Sequence, residues 1–575
     1  MSGLGRRERT RRVSTGLLVT IAVLISLVTM AGMTAKAVIA RASCSNRPLL
    51  VNVAASFDIS PAIQTIARTF NKQDEKVGGQ CVSVEVTPGQ PSAVAAQVDG
   101  QDSLHGLTAV DAWIPDSSLW VDVARNYPIG AQVVRPTGIS VAKSPIMLVT
   151  SQQVATETKV FAGPPSWSLL LTSTYGGPPG SMGLAVDIPD PSDSAVGLAT
   201  LIELNRELGT TIEGRAGFTK FVLSSEDTED FDSASGLAQL VASTGAPFFR
   251  RPIAEASEQA VVSYDKANPR QPLAARYPAG PVKALGSPEL DYPYVRTATN
   301  SAKAQAVAAF GRFLQTPYAQ AVVRNDGFRS ADGVANRFPV DSGLSTQPFQ
   351  VAPPAKPTEA ATNLVAWQKL GLGSRDLTII DDSAAMAAPA GVGNLTLEQA
   401  LSATAARGLA LFPDSTQMSL WVAPDSKGTA SSYRDLVSMG PLPARYGVIT
   451  RREQIQEVDQ TLTSTTKHPL HLNDAILAAY QQMTKSYAPN YSNAVIVLTA
   501  GIDAPGDMSV SALLAKLHGL FNSSRPVEVV ILQFGQAGDF HAMRQIASAT
   551  DGAAYQILNP IEVGKVFIEA IARRI

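Results

Sequence analysis

LLVNVAASFDISPAIQTIARTFNKQ (Leu49–Gln73), followed by VSVEV (Val82–Val86), decides how the front half of this 575-residue chain folds. The apolar run Leu49–Ser56 is short and predicts a strand, and the alternation of VSVEV predicts a second. Between them PAIQTIARTFNKQ has the apolar spacing of an amphipathic helix. Strand, helix, strand is a βαβ unit, in which both strands are parallel and begin at the same edge of the sheet. Cys44 lies shortly before the first strand and Cys81 immediately before the second, and the chain has no other cysteine. The two sulfurs are therefore predicted to meet as a disulfide.

A disulfide requires an oxidising compartment, and the N-terminus supplies the route to one. Arg6, Arg7, Arg9, Arg11 and Arg12 precede a run from Val13 to Ala35 that contains no charged residue. At 1.5 Å per residue such a run crosses a hydrocarbon core of about 30 Å. The arginines place its N-terminal side in the cytoplasm. The alternative is a cleaved signal peptide ending at Ala35-Lys36-Ala37 or Ala40-Arg41-Ala42. Either reading puts everything after Arg41 outside the cytoplasm.

From about Pro48 to Phe338 short apolar runs alternate with helical patterns, interrupted by loops such as GGPPGS (176–181). This is α/β organisation. In AKAQAVAAFGRFLQTPYAQAVVRNDGF (302–328), Val307, Phe310 and Leu314 share a helical face. Thr316 then caps a second helix with Pro317 at its first position, closed by Gly327.

LLVNVAASFDISPAIQTIARTF, DAWIPDSSLW (111–120), SEQAVVSYDK (257–266) and the 302–328 helix pair together resemble an extracytoplasmic solute-binding domain of the two-lobed, molybdate-binding type. The resemblance implies two α/β lobes and a small ligand held in the cleft between them. Hydroxyls and helix N-terminal amides can donate to an oxyanion there without a full charge. Four serines precede or open elements in that way and are the candidate ligand-binding residues: Ser56, Ser92, Ser144 and Ser194. Each has an alternative role as a helix cap or sheet residue. Where oxyanion binders of this type show paired serines, this chain has Gln90-Pro91-Ser92, so the ligand class stays open. Trp113, Asp116 and Trp120 are candidates either for lining the cleft or for the core.

After Phe338, DSGLSTQPFQVAPPAKPTEAA is rich in Pro, Ser and Ala and reads as a linker. A second alternating pattern follows: LTIID (377–381), a helix opened by the capping box Thr396–Gln399, QMSLWVA (417–423), LNDAILAAYQQM (472–483), NAVIVLTAG (493–501), VEVVILQFG (527–535) and AAYQIL (553–558). Continuous apolar runs predict strands covered on both faces, and hence a doubly wound sheet of about six strands.

This block resembles a von Willebrand factor A domain. LTIIDDSAAM stands at the family's D-x-S-x-S strand end, HPLHLNDAI at its Thr-bearing loop and NAVIVLTAG before its Asp. The resemblance implies a divalent cation held by side-chain oxygens that takes a carboxylate from a partner. Only Asp381 and Ser383 remain of that set. Ala385, Leu470 and Ala500 replace the second Ser, the Thr and the Asp, leaving Asp382 and Asp503 as ill-placed substitutes. The expectation is a degenerate site with no bound metal, and no cofactor for the chain as a whole.

Lys plus Arg total 47 against 49 Asp plus Glu, with no basic block beyond the first dozen residues, so nucleic acid is not an expected partner. The five histidines (105, 468, 471, 518, 541) show no metalloprotease spacing, and neither a G-x-S-x-G elbow nor a phosphate-cradling loop occurs. His468 and His471 lack a third ligand nearby. No catalytic residue is expected, and the chain reads as a non-enzyme.

The predicted layout is a basic cytoplasmic tail (1–12), a transmembrane helix (13–40), a solute-binding domain (44–345), a linker (346–360) and a von Willebrand factor A domain (361–575). This order resembles anchored substrate-binding plus A-domain proteins of actinobacteria. The expected function is a non-catalytic, single-span envelope protein that takes a small-molecule ligand in its cleft and a protein partner through the A domain. The rivals are a scaffold or adhesion protein with a vestigial cleft, and a solute receptor serving an ABC permease.

Overall fold

A computed structural model describes residues 47–573 apart from 101–108, 164, 173–183, 226–233, 244–250, 279–285, 337, 339–342, 347–350, 391–393, 410–411, 413, 424–432, 462–470, 502–505 and 560–562. The predicted membrane segment, 13–40, and Cys44 lie outside the described residues. Among those residues no helix is long and apolar enough to cross a membrane. The chain divides into two compact units, one running up to Ser144 and resuming at Leu290–Arg337, the other comprising Pro145–Glu289 and Phe338–Ile575.

The first unit is built on β1 (Leu49–Ala55), β2 (Lys76–Val77), β3 (Gln80–Pro88), β4 (Ala112–Ile114), β5 (Arg135–Ser140) and, from the returning chain, β11 (Pro293–Arg296), in the order β2-β3-β1-β4-β11-β5. The strands β3 and β4 lie on opposite sides of β1 and are both parallel to it, with Leu49 opposite Val82 and Ala55 opposite Ile114. The predicted βαβ unit is present, its helix spanning Ser60–Asn71. That helix buries Ile63, Ile66 and Phe70, and Phe70 meets Phe310 edge-on at 5.3 Å between ring centres. The predicted helix pair is also present, at Ser301–Leu314 and Pro317–Asn325, with Thr316 accepting from the Ala319 amide. The conformational stop is Gly327, at φ 98°.

Among the described residues the second unit holds two large sheets. In the first, β6 (Ala142–Ser151) is flanked by β8 (Arg251–Ser257), β9 (Leu273–Arg276) and β10 (Glu289–Leu290), and β7 (Leu184–Asp187) is parallel to β8. The early residues of β6, which belong to the first unit, pair with β12 (Arg329–Ser330).

In the second sheet the order is β15-β14-β13-β18-β19-β20, formed by β13 (Ser374–Ile380), β14 (Gln417–Val422), β15 (Arg434–Pro441), β18 (Ser492–Thr499), β19 (Val527–Phe534) and β20 (Ala553–Ile557). A small hairpin, β16 (Arg445–Tyr446) and β17 (Ile449–Thr450), follows β15. All of the sheet is parallel except the edge strand β15, which runs antiparallel to β14. Alternation along the strands loads both faces: Leu377, Ile379, Val495 and Val497 pack with the helices Leu472–Lys485, Val510–Leu520 and Phe540–Ser548. Ile380, Ile496, Leu532 and Phe534 pack on the other side with Leu397, Leu401 and Ile455. Continuous apolar strands in the sequence are thus the signature of a sheet covered twice.

Candidate functional site

In an open α/β sheet, ligands bind beyond the carboxyl ends of parallel strands where neighbouring connections leave in opposite directions. In the first unit that point is the end of β1, because the chain passes first to β3 on one side and then to β4 on the other. Three loops converge there. Ser56 follows β1 and its amide donates to the Ile114 carbonyl at 2.9 Å, while the Gly89 amide after β3 donates to Ala55 at 2.8 Å. Gln90-Pro91-Ser92 then opens the helix Pro91–Val98, with Ser92 half-buried in its first turn. After β4, Pro115-Asp116-Ser117 leads into the helix Ser118–Arg125, which Ser117 caps.

A carboxyl organises this point. The Ser56 hydroxyl donates to Asp58 Oδ1 at 2.6 Å, the Ile59 amide donates to the same oxygen at 2.8 Å, and the Tyr292 hydroxyl donates to Asp58 Oδ2. Loss of hydration pushes the Asp58 carboxyl above its ordinary value, against the lowering effect of these hydrogen bonds. Tyr292 is fully buried at φ 40°, a left-handed conformation that is strained for a bulky residue. Its amide donates to the Asp116 carbonyl at 3.1 Å, and its ring meets Phe328 edge-on at 5.1 Å. Phe57, between Ser56 and Asp58, is 60% exposed.

The predicted serines therefore separate. Ser56 and Ser92 are brought to the same switch point, Ser56 with its proton directed to Asp58. Ser144 is fully buried within β6. Ser194 caps the helix Ala195–Leu208, accepting from the Gly197 amide at 3.4 Å. Trp113 and Trp120 are core residues, at most 1% exposed. Asp58 and Tyr292 escaped the sequence reading. They are 234 positions apart, and S-x-D before a helix reads as a cap signal.

In the C-terminal sheet the corresponding point is the end of β13, between β14 and β18, and it carries Asp381. Asp381 Oδ1 accepts from the Ser383 amide at 2.9 Å, and Oδ2 accepts from the Thr499 hydroxyl at 2.7 Å and the Ala500 amide at 3.0 Å. Both carboxylate oxygens are thus already held by donors of the protein. Ala385 and Ala500 offer no side-chain oxygen, and Leu470 and Asp503 lie outside the described residues. The residues present do not fit the cation that an A domain implies. Asp382 is pushed up to about 6 by burial and by the neighbouring Asp381 charge, with Arg434 opposing.

One His/Asp group lies at the start of the helix Leu472–Lys485: His471, Asp474 and Asp507, with His471 Nδ1 3.6 Å from Asp474 and 3.9 Å from Asp507. Asp507 accepts from the amides of Asn473, Asp474 and Met508. A carboxylate receiving the N-terminal amides of a helix acts as its cap, and the helix dipole there favours the negative charge. His468 lies outside the described residues.

Two stretches of the chain match known families. Residues 51–329 match the family model of bacterial extracellular solute-binding proteins, and residues 378–567 that of the von Willebrand factor type A domain. Two curated Mycobacterium tuberculosis sequences, from strains CDC 1551 / Oshkosh and H37Rv and both described as uncharacterized proteins, are 23% identical to the chain over 90% of it and 76% of their own length. Among solved structures, a periplasmic thiamin binding protein (14% identical, TM-score 0.40) covers 57% of this chain and 98% of its own. A von Willebrand factor type A protein from Catenulispora acidiphila (17% identical, TM-score 0.27) covers 35% and 42%. The chain joins an extracellular solute-binding domain to a von Willebrand factor type A domain.

Proposed function

We propose that the protein is a non-catalytic, membrane-anchored envelope protein that captures a small solute with its N-terminal domain and engages a protein partner through its A domain. The observation that carries the solute reading is the convergence of Ser56, Ser92 and the Asp116–Ser117 loop at the strand switch point, organised by the strained Tyr292 and Asp58. Segment 13–40 is the anchor in this reading. Cys81 belongs to it as well, for no described cysteine is a free thiol, and the Leu49–Val82 register puts the start of β1 beside the start of β3. Cys44 is its proposed partner.

The A domain's part rests on metal-independent contact. Its β16–β17 hairpin exposes Tyr446 at 62% and Val448 at 92%, the mixed aromatic and aliphatic tip that partner recognition uses. Titration calorimetry of the region beyond residue 41 against panels of anions, sugars and amino acids tests the solute reading. Saturable binding that Ser56→Ala weakens supports it; no binding by any class favours an envelope scaffold with a vestigial site. Delivery to an ABC permease is the second reading, and binding of the loaded protein to a permease in vesicles would favour it.

A further inference from the structure

The helix Ala195–Leu208 has a different task at each end. Its N-terminus is capped by Ser194, one of the candidate ligand serines, and packs so tightly that a Cβ on Gly197 would lie 2.0 Å from the Pro189 carbonyl. The helix is about 21 Å long at 1.5 Å per residue, and Ala195, Leu198, Leu201, Ile202 and Leu204 are buried along it. Its C-terminal turn meets the segment that leads into the A domain.

Arg206 makes that contact. Its Nη1 donates to Glu203 Oε1 at 2.6 Å and to the Pro353 carbonyl at 3.0 Å, while Nη2 donates to the Pro354 carbonyl at 3.1 Å and to Glu359 Oε2 at 2.6 Å. The neighbouring Asn205 donates to Asn363 Oδ1 at 2.8 Å, and Asn363, 4% exposed, donates back to the Glu359 carbonyl. One planar guanidinium thus holds acceptors from its own helix, from the Pro-rich connection and from the helix Glu359–Gly371. A rigid fork of this kind orders several groups at once, which a single ammonium cannot do.

The Pro-rich connection is correspondingly not a free tether where it is described: the Ala352 amide donates to the Ser287 carbonyl at 2.9 Å, and Ala352 is buried. The helices Ala195–Leu208 and Ile212–Ser224 both pack on Glu359–Gly371, and Ile212–Ser224 also packs on Val563–Ala572 of the A domain. After Gly371 only Leu372 and Gly373 intervene before β13, whose end carries Asp381.

The geometry points to Arg206 as a coupling residue that locks the A domain onto the Ser194-capped helix of the solute-binding domain, so that displacement of that helix is passed to β13. The lock itself is read without a ligand. Only the source of the displacement rests on the solute-binding function proposed above. Inter-domain contacts within a chain are mobile by default, so a lock of this kind is what allows the state of one domain to reach the other.

Hydrogen exchange followed by mass spectrometry on the full region beyond residue 41, without ligand, tests the lock. Arg206→Gln should speed exchange of the 352–371 amides at least 10-fold while leaving β18 and β19 unchanged. Arg206→Lys, which retains the charge but not the fork, should give an intermediate rate, and Arg206→Glu combined with Glu359→Arg should restore part of the protection. Should Arg206→Gln unfold the chain, Glu359→Gln replaces it as the milder lesion, with the same expectation. Unchanged 352–371 rates in these variants would overturn the proposal, as would wild-type rates already equal to those of unstructured peptide. A lock that holds in a protein binding no solute would instead count against the solute reading alone.

Discussion

Thr499→Val isolates the side-chain hydrogen bond that holds Asp381 at the end of β13. The Thr499 hydroxyl donates to Asp381 Oδ2 at 2.7 Å and accepts from the Gly501 amide at 2.8 Å, and Thr499 and Asp381 are at most 1% exposed. Valine keeps the shape and removes both bonds. A hydrogen bond to a buried carboxylate contributes about 1.5–3 kcal/mol, and leaving the Gly501 amide without an acceptor costs about 1–3 kcal/mol. A combined loss of about 2.5–6 kcal/mol follows. Because the chain has several domains, a single global unfolding free energy is poorly defined, and local hydrogen exchange of β13 and β18 is the better assay. At about 1.4 kcal/mol per tenfold, the lower figure speeds exchange by roughly 60-fold. A change below about threefold would refute the structural role assigned to Thr499. Slower exchange of wild-type β13 on adding Mg²⁺ would show instead that Asp381 is completed by a cation.

Asp382→Asn should stabilise the A domain at neutral pH and change little at pH 4. The Asp382 carboxyl rises from an ordinary 3.8 to about 6 in the folded state, so its contribution is fully present below 3.8 and is lost as pH climbs through about 6; thermal melts of both proteins across pH 4–8 check this, and equal melts at pH 7.5 would refute it. Ser56→Ala should weaken solute binding by about 0.5–1.5 kcal/mol for a neutral ligand and about 1.5–3 kcal/mol for a charged one. Its one proton already goes to Asp58, so these figures hold for a ligand that donates to the Ser56 oxygen; thermal stability should fall alongside the affinity measured by calorimetry, and unaltered affinity would remove Ser56 from the site. Non-reducing peptide mapping of the exported protein should recover Cys44 joined to Cys81, a closure worth roughly 3–4 kcal/mol in the loop-entropy account; two free thiols would overturn the pairing.

Local periodicity and capping carried most of the fold. The βαβ unit at 49–88 and the Thr316-capped helix pair follow from spacing alone. At Thr396 the capping box is reciprocal: the Thr396 amide donates to Gln399 at 3.1 Å and the Gln399 amide to Thr396 at 3.2 Å. The antiparallel edge strand β15 was not legible, since an edge strand with one exposed face lacks the continuous apolar run of its neighbours. Nor was the docked Pro-rich connection, whose composition reads as a tether until Arg206, nearly 150 residues earlier, collects its carbonyls. The solute site was half visible. Ser56 and Ser92 follow strands recognisable in the sequence, whereas Asp58 and Tyr292 become partners only because β11 returns beside β4. Such long-range pairings leave no local pattern.

Capture of a small solute by the N-terminal domain is tested most directly by native mass spectrometry of the region beyond residue 41, purified from its own cells without dialysis. One discrete small-molecule adduct per chain is expected, disappearing on denaturation and reduced in Ser56→Ala. A bare polypeptide mass in repeated preparations, together with no thermal shift across anion, sugar and amino-acid panels, would contradict it.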